Sequence, residues 1–358
     1  MKAANVIRTV ADNAKNSFIY RDDAIDAIAS CILSAQHVLL LGKPGTAKSA
    51  LVTYFAKSTQ LTYWETLLNP DLLRDDIYGP IDPQKFAQGE WDRKWTGLAK
   101  AHLAFGDEVG KASGQVLNLF LKAMEERKAT MGGTVVDLPL ITFVGASNEL
   151  FEGESQAVWD RFLARIVVNP IPTNQASQFQ QMLVAKVEPV PQPLDIADLI
   201  ACNLQAKRMA ANPSQDVITT LTQLWTHLET VTPSYVSDRR WRRTLSLAAG
   251  KALLDGCDEI RPHHLAVAKW TLWSDPAEID TLAAWIDGIV DSAARELNEA
   301  KKKLADLVKA HQRAGADLNQ LAEVNMRIDR LTRDLLTKSG SEWAQLRADV
   351  AQLKAQIV

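Results

Sequence analysis

The stretch HVLLLGKPGTAKSALVTYFAK, residues 37–57, decides the fold class of this chain. Its first part, Val38–Leu41, is an apolar run with the length and flanks of a buried strand. A turn rich in Gly and Pro follows, and Ser49–Lys57 then has the pattern of a helix. A strand, a glycine-containing turn and a helix in this order predict the start of an α/β domain.

The turn itself matches the phosphate-loop pattern G-x-x-x-x-G-K-[ST] at every position except one, where Ala47 replaces the second Gly. Such a loop binds phosphate through its backbone N–H groups and the N-terminus of the next helix. We expect Lys48 to bind the β- and γ-phosphates of a nucleotide and Ser49 to bind Mg²⁺. The alternative is an ordinary Gly/Pro turn. The predicted nucleotide-binding residues are Gly42, Lys43, Pro44, Gly45, Thr46, Ala47, Lys48 and Ser49.

Three other strands are predicted, at Leu103–Phe105, Leu140–Val144 and Ile166–Val168. Polar side chains follow the first two of them. In an open α/β sheet the carboxyl ends of the strands line the ligand crevice. Asp107 is therefore a candidate Mg²⁺ ligand, and Glu108 and Asn148 are candidates to polarise and orient an attacking water. The alternatives are an acidic pair at a helix N-terminus and an Asn in a strand-to-loop turn.

Two arginine-containing segments point to anionic groups. If Asp160–Arg165 is helical, Arg161 and Arg165 lie one turn apart and reach the same anion. Asp238–Arg243 is a basic start to a predicted helix, where the macrodipole disfavours cations, so we expect an anion nearby. The alternatives are solvated arginines or a DNA-binding patch.

The chain divides into three predicted regions. Residues 1–187 form an α/β nucleotide-binding core, which includes a hairpin turning at Gly132-Gly133. Residues 188–285 begin with a proline-rich linker and form an all-α domain. Residues 286–358 form a C-terminal helical, coiled-coil-like region, either a hairpin or a triple helix. Apolar residues recur there at alternating intervals of three and four residues, which is the spacing of a coiled-coil seam. The seam residues after residue 315 are Leu321, Val324, Ile328, Leu331, Leu335, Trp343, Leu346, Val350, Leu353 and Ile357.

Composition excludes several classes of protein. The chain has 358 residues and 40 Lys+Arg against 43 Asp+Glu, which argues against a dominant nucleic-acid surface. With 47% hydrophobic residues it is not a disordered chain. Its three cysteines are far apart, which argues against a disulfide framework or a cysteine metal site. We see no signal peptide or membrane span, and expect a cytoplasmic protein.

Several motifs together resemble the AAA+ ATPases, and within them the MoxR family, most closely its RavA-like branch. The resemblance covers about residues 5–285. Its motifs are GKPGTAKS (42–49), YGP (78–80), DEVGKASGQVLNLFLKAMEER (107–127), GASNELFEGESQAVWDRF (145–162) and VSDRRW (236–241).

The resemblance implies a role for each matching residue. Lys48 and Ser49 correspond to the Walker A pair, and Asp107 and Glu108 to Walker B. The remaining matches are Asn148 to sensor 1, Arg161 to the arginine finger with Arg165 as second candidate, Arg239 to sensor 2, Ile19 and Tyr20 to the adenine site, Phe86–Trp95 to the helix-2 insertion, and Lys128–Leu138 to the hairpin before sensor 1. In the family the insertion and the hairpin usually face the pore of a ring.

The implied protein is a hexameric, Mg²⁺-dependent ATP hydrolase with an α/β core and an all-α lid. The nucleotide would lie between subunits, so Arg161 would act on a neighbour's ATP. The resemblance also implies a chaperone that remodels protein clients with a von Willebrand factor A-domain (vWA) partner. The alternatives are a nucleic-acid motor or clamp-loader-like ATPase, and a small-molecule kinase.

The chain departs from the family pattern in two places. Gly106 interrupts the apolar strand that ends in Asp107. The tail is continuous and leaves no room for the extra β domain of RavA, so a partner recognised by that domain, such as a lysine decarboxylase, is not implied.

Overall fold

The computed structural model describes residues 2–131, 134–150, 159–290, 300, 303–304, 306–311, 318–335 and 341–355. The chain forms two compact units, Met1–Ile286 and Asp287–Val358, each with its own packing. The glycine turn at 132–133 and the segment 151–158, on which part of the MoxR resemblance rests, lie outside the described residues.

A five-stranded parallel sheet forms the centre of the first unit. Its strands are β1 (Val38–Leu41), β2 (Tyr63–Leu67), β3 (Leu103–Asp107), β6 (Thr142–Ser147) and β7 (Ala164–Val167). Their order across the sheet is β2-β3-β6-β1-β7. Strand β1 lies between β6 and β7, so the loop that follows it emerges in the middle of the carboxyl edge. This confirms the predicted α/β core with a parallel sheet.

Helices cover the sheet and connect its strands. They are α1 (Lys2–Ser17), α2 (Asp22–Ser34), α3 (Lys48–Thr59), α4 (Arg74–Tyr78), α5 (Pro83–Ala87), α6 (Gly114–Glu126) and α7 (Ala176–Val184). Helix α6 begins after the carboxyl end of β3, where the Ser113 hydroxyl accepts from the Val116 N–H at 3.4 Å. Strands β4 (Lys128–Met131) and β5 (Thr134–Asp137) pair antiparallel, as expected for the predicted hairpin.

The helices after residue 195 form the predicted all-α part. They are α8 (Ile196–Ala211), α9 (Gln215–His227), α10 (Asp238–Leu254), a 3₁₀ helix (Pro262–Trp270) and α11 (Ile279–Val290). Helix α10 packs closely on α2, since a Cβ on Gly250 would lie 2.3 Å from the Ser30 carbonyl oxygen.

Two helices of the second unit form a packed pair, α12 (Leu318–Leu335) and α13 (Ser341–Ala355). Of the predicted seam residues whose side chains the structure describes, Leu321 is half-buried. The others are buried, and they are Val324, Ile328, Leu331, Leu335, Leu346, Val350 and Leu353. This confirms a helical C-terminal region. Of the helices described, none is long and apolar enough to cross a membrane.

Candidate functional site

The loop after β1 is fixed against both neighbouring strands. The Gly42 N–H donates to the Ser147 carbonyl at 3.1 Å, at the carboxyl end of β6. On the other side, a Cβ on Gly42 would lie 2.3 Å from the Val168 carbonyl oxygen, so only glycine fits there. The close approach to both strands sets the position of the loop at the carboxyl edge.

Two residues of this loop have left-handed backbone conformations. Gly45 has φ +80°, which glycine adopts without strain. Ala47, at the N-cap of α3, has φ 66° and ψ 23°. A residue with a Cβ is strained in this region by about 1–2 kcal/mol. The Ala that interrupts the phosphate-loop pattern therefore adopts the conformation that a glycine would adopt.

Lys48 connects this loop to the adjacent strand. Its ammonium donates to the carbonyls of Gly42 and Lys43 at 2.5 and 3.1 Å, and to the Asn148 amide oxygen at 3.1 Å. Burial lowers the pKa of Lys48, while the charges of Asp107 and Glu108 oppose that shift. The ammonium thus faces the ends of β1, β3 and β6, where Lys48 meets Asn148, Asp107 and Glu108.

The acidic pair ends β3 in a strained turn. The Glu108 N–H donates to the Asp107 carboxylate at 2.9 Å, and Glu108 has φ 55°. The Glu108 carboxylate forms an ion pair with Lys111 at 2.7 Å, a partner that the sequence analysis did not identify. Strain in a non-glycine residue at a site edge is typical of functional positions.

Gly106 makes room for the hydrophobic side chains beneath this turn. A Cβ there would lie 2.7 Å from the Phe143 ring and 2.8 Å from the Leu68 side chain. The glycine that interrupts the apolar strand thus allows close packing behind Asp107.

The residues predicted to bind Mg²⁺ are one hydroxyl and one carboxylate, those of Ser49 and Asp107. Within the described part of the chain, there is no group of three or more His, Cys, Asp or Glu placed to hold a metal. Few protein ligands suit Mg²⁺, which keeps several waters and takes phosphate oxygens as further ligands. The donor set therefore fits an ion that arrives with a nucleotide.

A cavity of about 610 Å³ lies beside the loop. Tyr20 lines it, whereas the other predicted adenine-site residue, Ile19, is not among the described residues that do. Arg21 lines it too and donates to the carbonyls of Thr46 and Asn169 at 3.1 and 2.9 Å. This arginine, which the sequence analysis missed, connects the cavity wall to the phosphate loop.

The predicted finger and sensor 2 arginines meet at one carboxylate. The Arg161 Nη2 lies 3.3 Å from Glu125 Oε2, and the Arg239 Nη2 donates to Glu125 Oε1. Arg239 lies in the first turn of α10, so this carboxylate is one of the anions expected near that helix start. The sequence analysis did not single out Glu125.

This cluster lies at the amino edge of the sheet. Arg161 precedes β7, whose Ala164 pairs with Val38 at the start of β1. Helix α6 runs back from the carboxyl end of β3, and its C-terminus is fixed there by Arg127, which donates to the Ala35 and Ile141 carbonyls at 2.8 and 3.0 Å. Ile141 directly precedes β6, and Ala35 lies three residues before the start of β1. Arg161 and Arg239 are therefore at the opposite edge of the sheet from Lys48.

Arg165 has a different environment from Arg161. It belongs to β7, so the assumed helical spacing of the two arginines is wrong. Its side chain is buried, lies 4.4 Å from the Trp159 ring centre and donates to the Trp273 carbonyl. Burial, followed by the charge of Arg240, lowers its pKa well below the ordinary value. These contacts with Trp159 and Trp273 fit a role for Arg165 in packing the core against the lid.

Arg240 provides a second connection between core and lid. It is buried and pairs with Asp160 at 2.9 Å, and it also donates to the Thr271 carbonyl at 2.9 Å. Asp160 is the second anion beside the basic start of α10. Arg240 is buried in these contacts. Of the neighbouring arginines 239 and 240, it is therefore Arg239 whose side chain reaches Glu125 and Arg161.

Comparison with family models gives two matches. Residues 5–198 match a family described as the MoxR domain in the MoxR-vWA-beta-propeller ternary systems. Residues 216–286 match an AAA lid domain. The first match spans more than half of the chain.

Individual proteins are also similar to this chain. An uncharacterized protein of Methanocaldococcus jannaschii, MJ0812, is 27% identical over 90% of this chain and 86% of its own length. Chaperone MoxR1 of Mycobacterium tuberculosis is 31% identical over 55% of this chain and 52% of its own. The crystal structure of a protein proposed to be an ATPase, from Cytophaga hutchinsonii, superposes with a TM-score of 0.63 at 20% identity, over 78% of this chain and 94% of that one. The structural likeness shows the fold.

Proposed function

The chain belongs to the MoxR family of AAA+ ATPases, and we propose that it hydrolyses ATP at sites shared between subunits of a ring. The observation that carries the proposal is the separation of Lys48 from Arg161 and Arg239, which lie at opposite edges of one sheet. An arginine that stabilises charge on a transferred phosphoryl group has to contact it. The three residues therefore act together only if a second subunit brings its arginines to this subunit's nucleotide.

The carboxyl edge of the sheet supplies the chemistry within one subunit. Lys48 and the loop amides bind the phosphates, and Ser49 and Asp107 would hold the Mg²⁺ that neutralises their charge. Glu108 takes a proton from the attacking water, and Asn148 orients that water. We assign the finger to Arg161 and not to Arg165, because the Arg165 side chain is buried between two tryptophans.

The assembly and its partners are a further part of the proposal. We propose a hexamer that remodels protein clients together with a vWA-domain protein. The name of the matched family, which includes vWA and β-propeller components, supports such a partner. The RavA-like branch, the domain boundaries and the cytoplasmic location remain predictions from the sequence.

The alternative, a nucleic-acid motor or clamp-loader-like ATPase, is less favoured. The basic start of α10 was its strongest feature. Arg239 and Arg240 are instead paired with Glu125 and Asp160 within the same subunit. A self-contained kinase does not explain arginines that lie away from its own phosphate loop.

The test is ATP hydrolysis per subunit as a function of protein concentration, repeated with a Lys48→Ala/Arg161→Ala double variant mixed into the wild type. We expect the specific rate to rise with concentration, and the double variant to inhibit the wild type beyond dilution, because each of its subunits disables its own site and a neighbour's. A flat rate with additive mixing would show self-contained sites.

Glu108→Gln should bind ATP without hydrolysing it. This variant is therefore the form to use for capturing a vWA partner.

A further inference from the structure

The carboxylate of Glu125 lies between two arginines from different parts of the fold. One oxygen contacts Arg161, which precedes β7, and the other accepts from Arg239, in α10 of the lid. Each oxygen binds one guanidinium, so the two arginines are held side by side. Glu125 is 34% exposed and Arg161 and Arg239 are 26% and 39% exposed, which leaves all three accessible to a molecule that docks there.

The negative charge of Glu125 is unfavourable at its position in helix α6. It lies in the last turn of α6, where the macrodipole disfavours an anion, and no basic residue of that turn offsets it. The compensating charges come from elsewhere. The hydrogen bond and charge of Arg239, and then the charges of Arg161 and Arg243, lower the pKa of Glu125 although burial alone would raise it.

The same carboxylate separates like charges. Burial lowers the pKa of Arg243 and that of Arg127; in addition, the charges of Arg239 and Arg161 lower the pKa of Arg243, and the charge of Arg243 lowers that of Arg127. These like charges repel one another. Glu125 is the carboxylate bonded to two of them. Without its charge, Arg161 and Arg239 are expected to move apart.

We propose that Glu125 is a positioning residue for hydrolysis in the neighbouring subunit: it holds Arg161 and Arg239 together so that both meet one nucleotide. This inference rests on the proposed function, because it assumes that these arginines act across a subunit boundary. Glu125 itself does not contact the nucleotide in this account; it acts through the two arginines.

The test uses Glu125→Gln, which keeps the size of the side chain and removes its charge, with Glu126→Gln as the matched control. We expect Glu125→Gln to lower kcat by about tenfold, the difference between a charged and a neutral hydrogen bond. The KM for ATP should stay within about twofold, since its own phosphate loop is intact. Glu126→Gln should behave as wild type.

Mixing experiments separate positioning from a structural role. Glu125→Gln subunits should regain turnover when mixed with Lys48→Ala subunits, which have no working phosphate loop but supply an intact Glu125 cluster. They should gain nothing from Arg161→Ala subunits, because both variants fail in the same half of the shared site.

Each other outcome overturns a specific claim. If Lys48→Ala restores Arg161→Ala but not Glu125→Gln, then Glu125 acts within its own subunit and the positioning role is wrong. Wild-type turnover of Glu125→Gln alone also contradicts it. If Lys48→Ala does not restore even Arg161→Ala, the shared site itself is wrong, and the positioning role with it.

Discussion

The Lys48 ammonium lies 3.1 Å from the Asn148 amide oxygen, although the two residues are 100 positions apart in the chain. Lys48 begins the helix after β1, and Asn148 follows β6, the neighbouring strand. Parallel pairing of Leu41 with Ser147 puts the two strand ends at the same level. This contact joins the loop after β1 to Asn148, the residue that we propose orients the attacking water.

Lys48→Ala should abolish productive ATP binding, because the loop loses the cation that pairs with the β- and γ-phosphates. Lys57→Ala, an exposed lysine in the last turn of the same helix, is the control and should bind as wild type. The measurement is nucleotide affinity by calorimetry. Unchanged affinity in Lys48→Ala would contradict the phosphate-loop assignment.

Ala47→Gly should stabilise the protein by up to about 1 kcal/mol, because glycine relieves a left-handed backbone conformation. The control is Ala50→Gly, an exposed residue within α3, which should destabilise by about 0.5–1 kcal/mol. Urea unfolding gives both free energies. Equal destabilisation by the two substitutions would show that the φ of Ala47 causes no strain.

Gly106→Ala should destabilise by about 1–3 kcal/mol, since its Cβ would overlap the Phe143 ring. Gly288→Ala is the matched control, because a Cβ there meets nothing within 4 Å and helical Ala is favoured over Gly. The same unfolding experiment compares them. A Gly106→Ala protein as stable as wild type would mean that the ring moves freely.

Arg161→Ala should lower kcat by about 10³-fold or more, as for other arginine fingers. Its melting temperature should change only slightly, because the partly exposed ion pair with Glu125 contributes little stability. Arg165→Ala should instead lower the melting temperature, because it removes the bonded and stacked cation between Trp159 and Trp273. Paired melting and turnover measurements on the two variants distinguish the roles. The reverse pattern would move the finger to Arg165.

Acid should destabilise the first unit as the pH falls from about 6.5 toward 4. Burial lowers the pKa of His264 to about 4, and burial lowers that of His37 well below 6.5. In this range the unfolded chain binds protons that the folded one does not. The free energy of unfolding should therefore fall by about 1.4 kcal/mol per pH unit for each histidine, and above pH 6.5 neither contributes.

The check is urea unfolding at several pH values with His264→Asn, which keeps an acceptor for the Arg261 N–H. The slope of its free energy of unfolding against pH should be smaller than that of the wild type by the contribution of one histidine, about 1.4 kcal/mol per pH unit. His227→Gln, at the exposed end of α9, serves as control. If His264→Asn has the same pH slope as wild type, the acid sensitivity has another origin.

Strands that are buried along their whole length could be predicted from the sequence, because they form continuous apolar runs. β1 is buried along its whole length, and the prediction matched its bounds. β2 (Tyr63–Leu67) was missed because it is an edge strand whose residues are half-buried or exposed, so it has no continuous apolar run. The strand after residue 140 was predicted two residues early, since apolar Leu140 and Ile141 precede the pairing that begins at Thr142.

Site residues that follow one another directly after a strand could be predicted from the sequence. Contacts between residues that are far apart in the chain could not. The phosphate loop is contiguous, so its residues could be named. The pairing of Glu125 with Arg239 joins residues 114 positions apart, and the carbonyl that Arg165 binds is 108 positions away. An acidic pair at a helix C-terminus, where anions are disfavoured, was the one local signal for Glu125.

The most direct test of a shared site is to mix Lys48→Ala with Arg161→Ala subunits, each inactive alone. The first still supplies arginines, and the second still binds nucleotide. We predict that turnover returns on mixing, with a maximum at intermediate ratios, because some boundaries then combine an intact Lys48 with an intact Arg161. If the mixture is as inactive as its components under conditions in which the subunits exchange, each site is contained within one chain and the central claim is wrong.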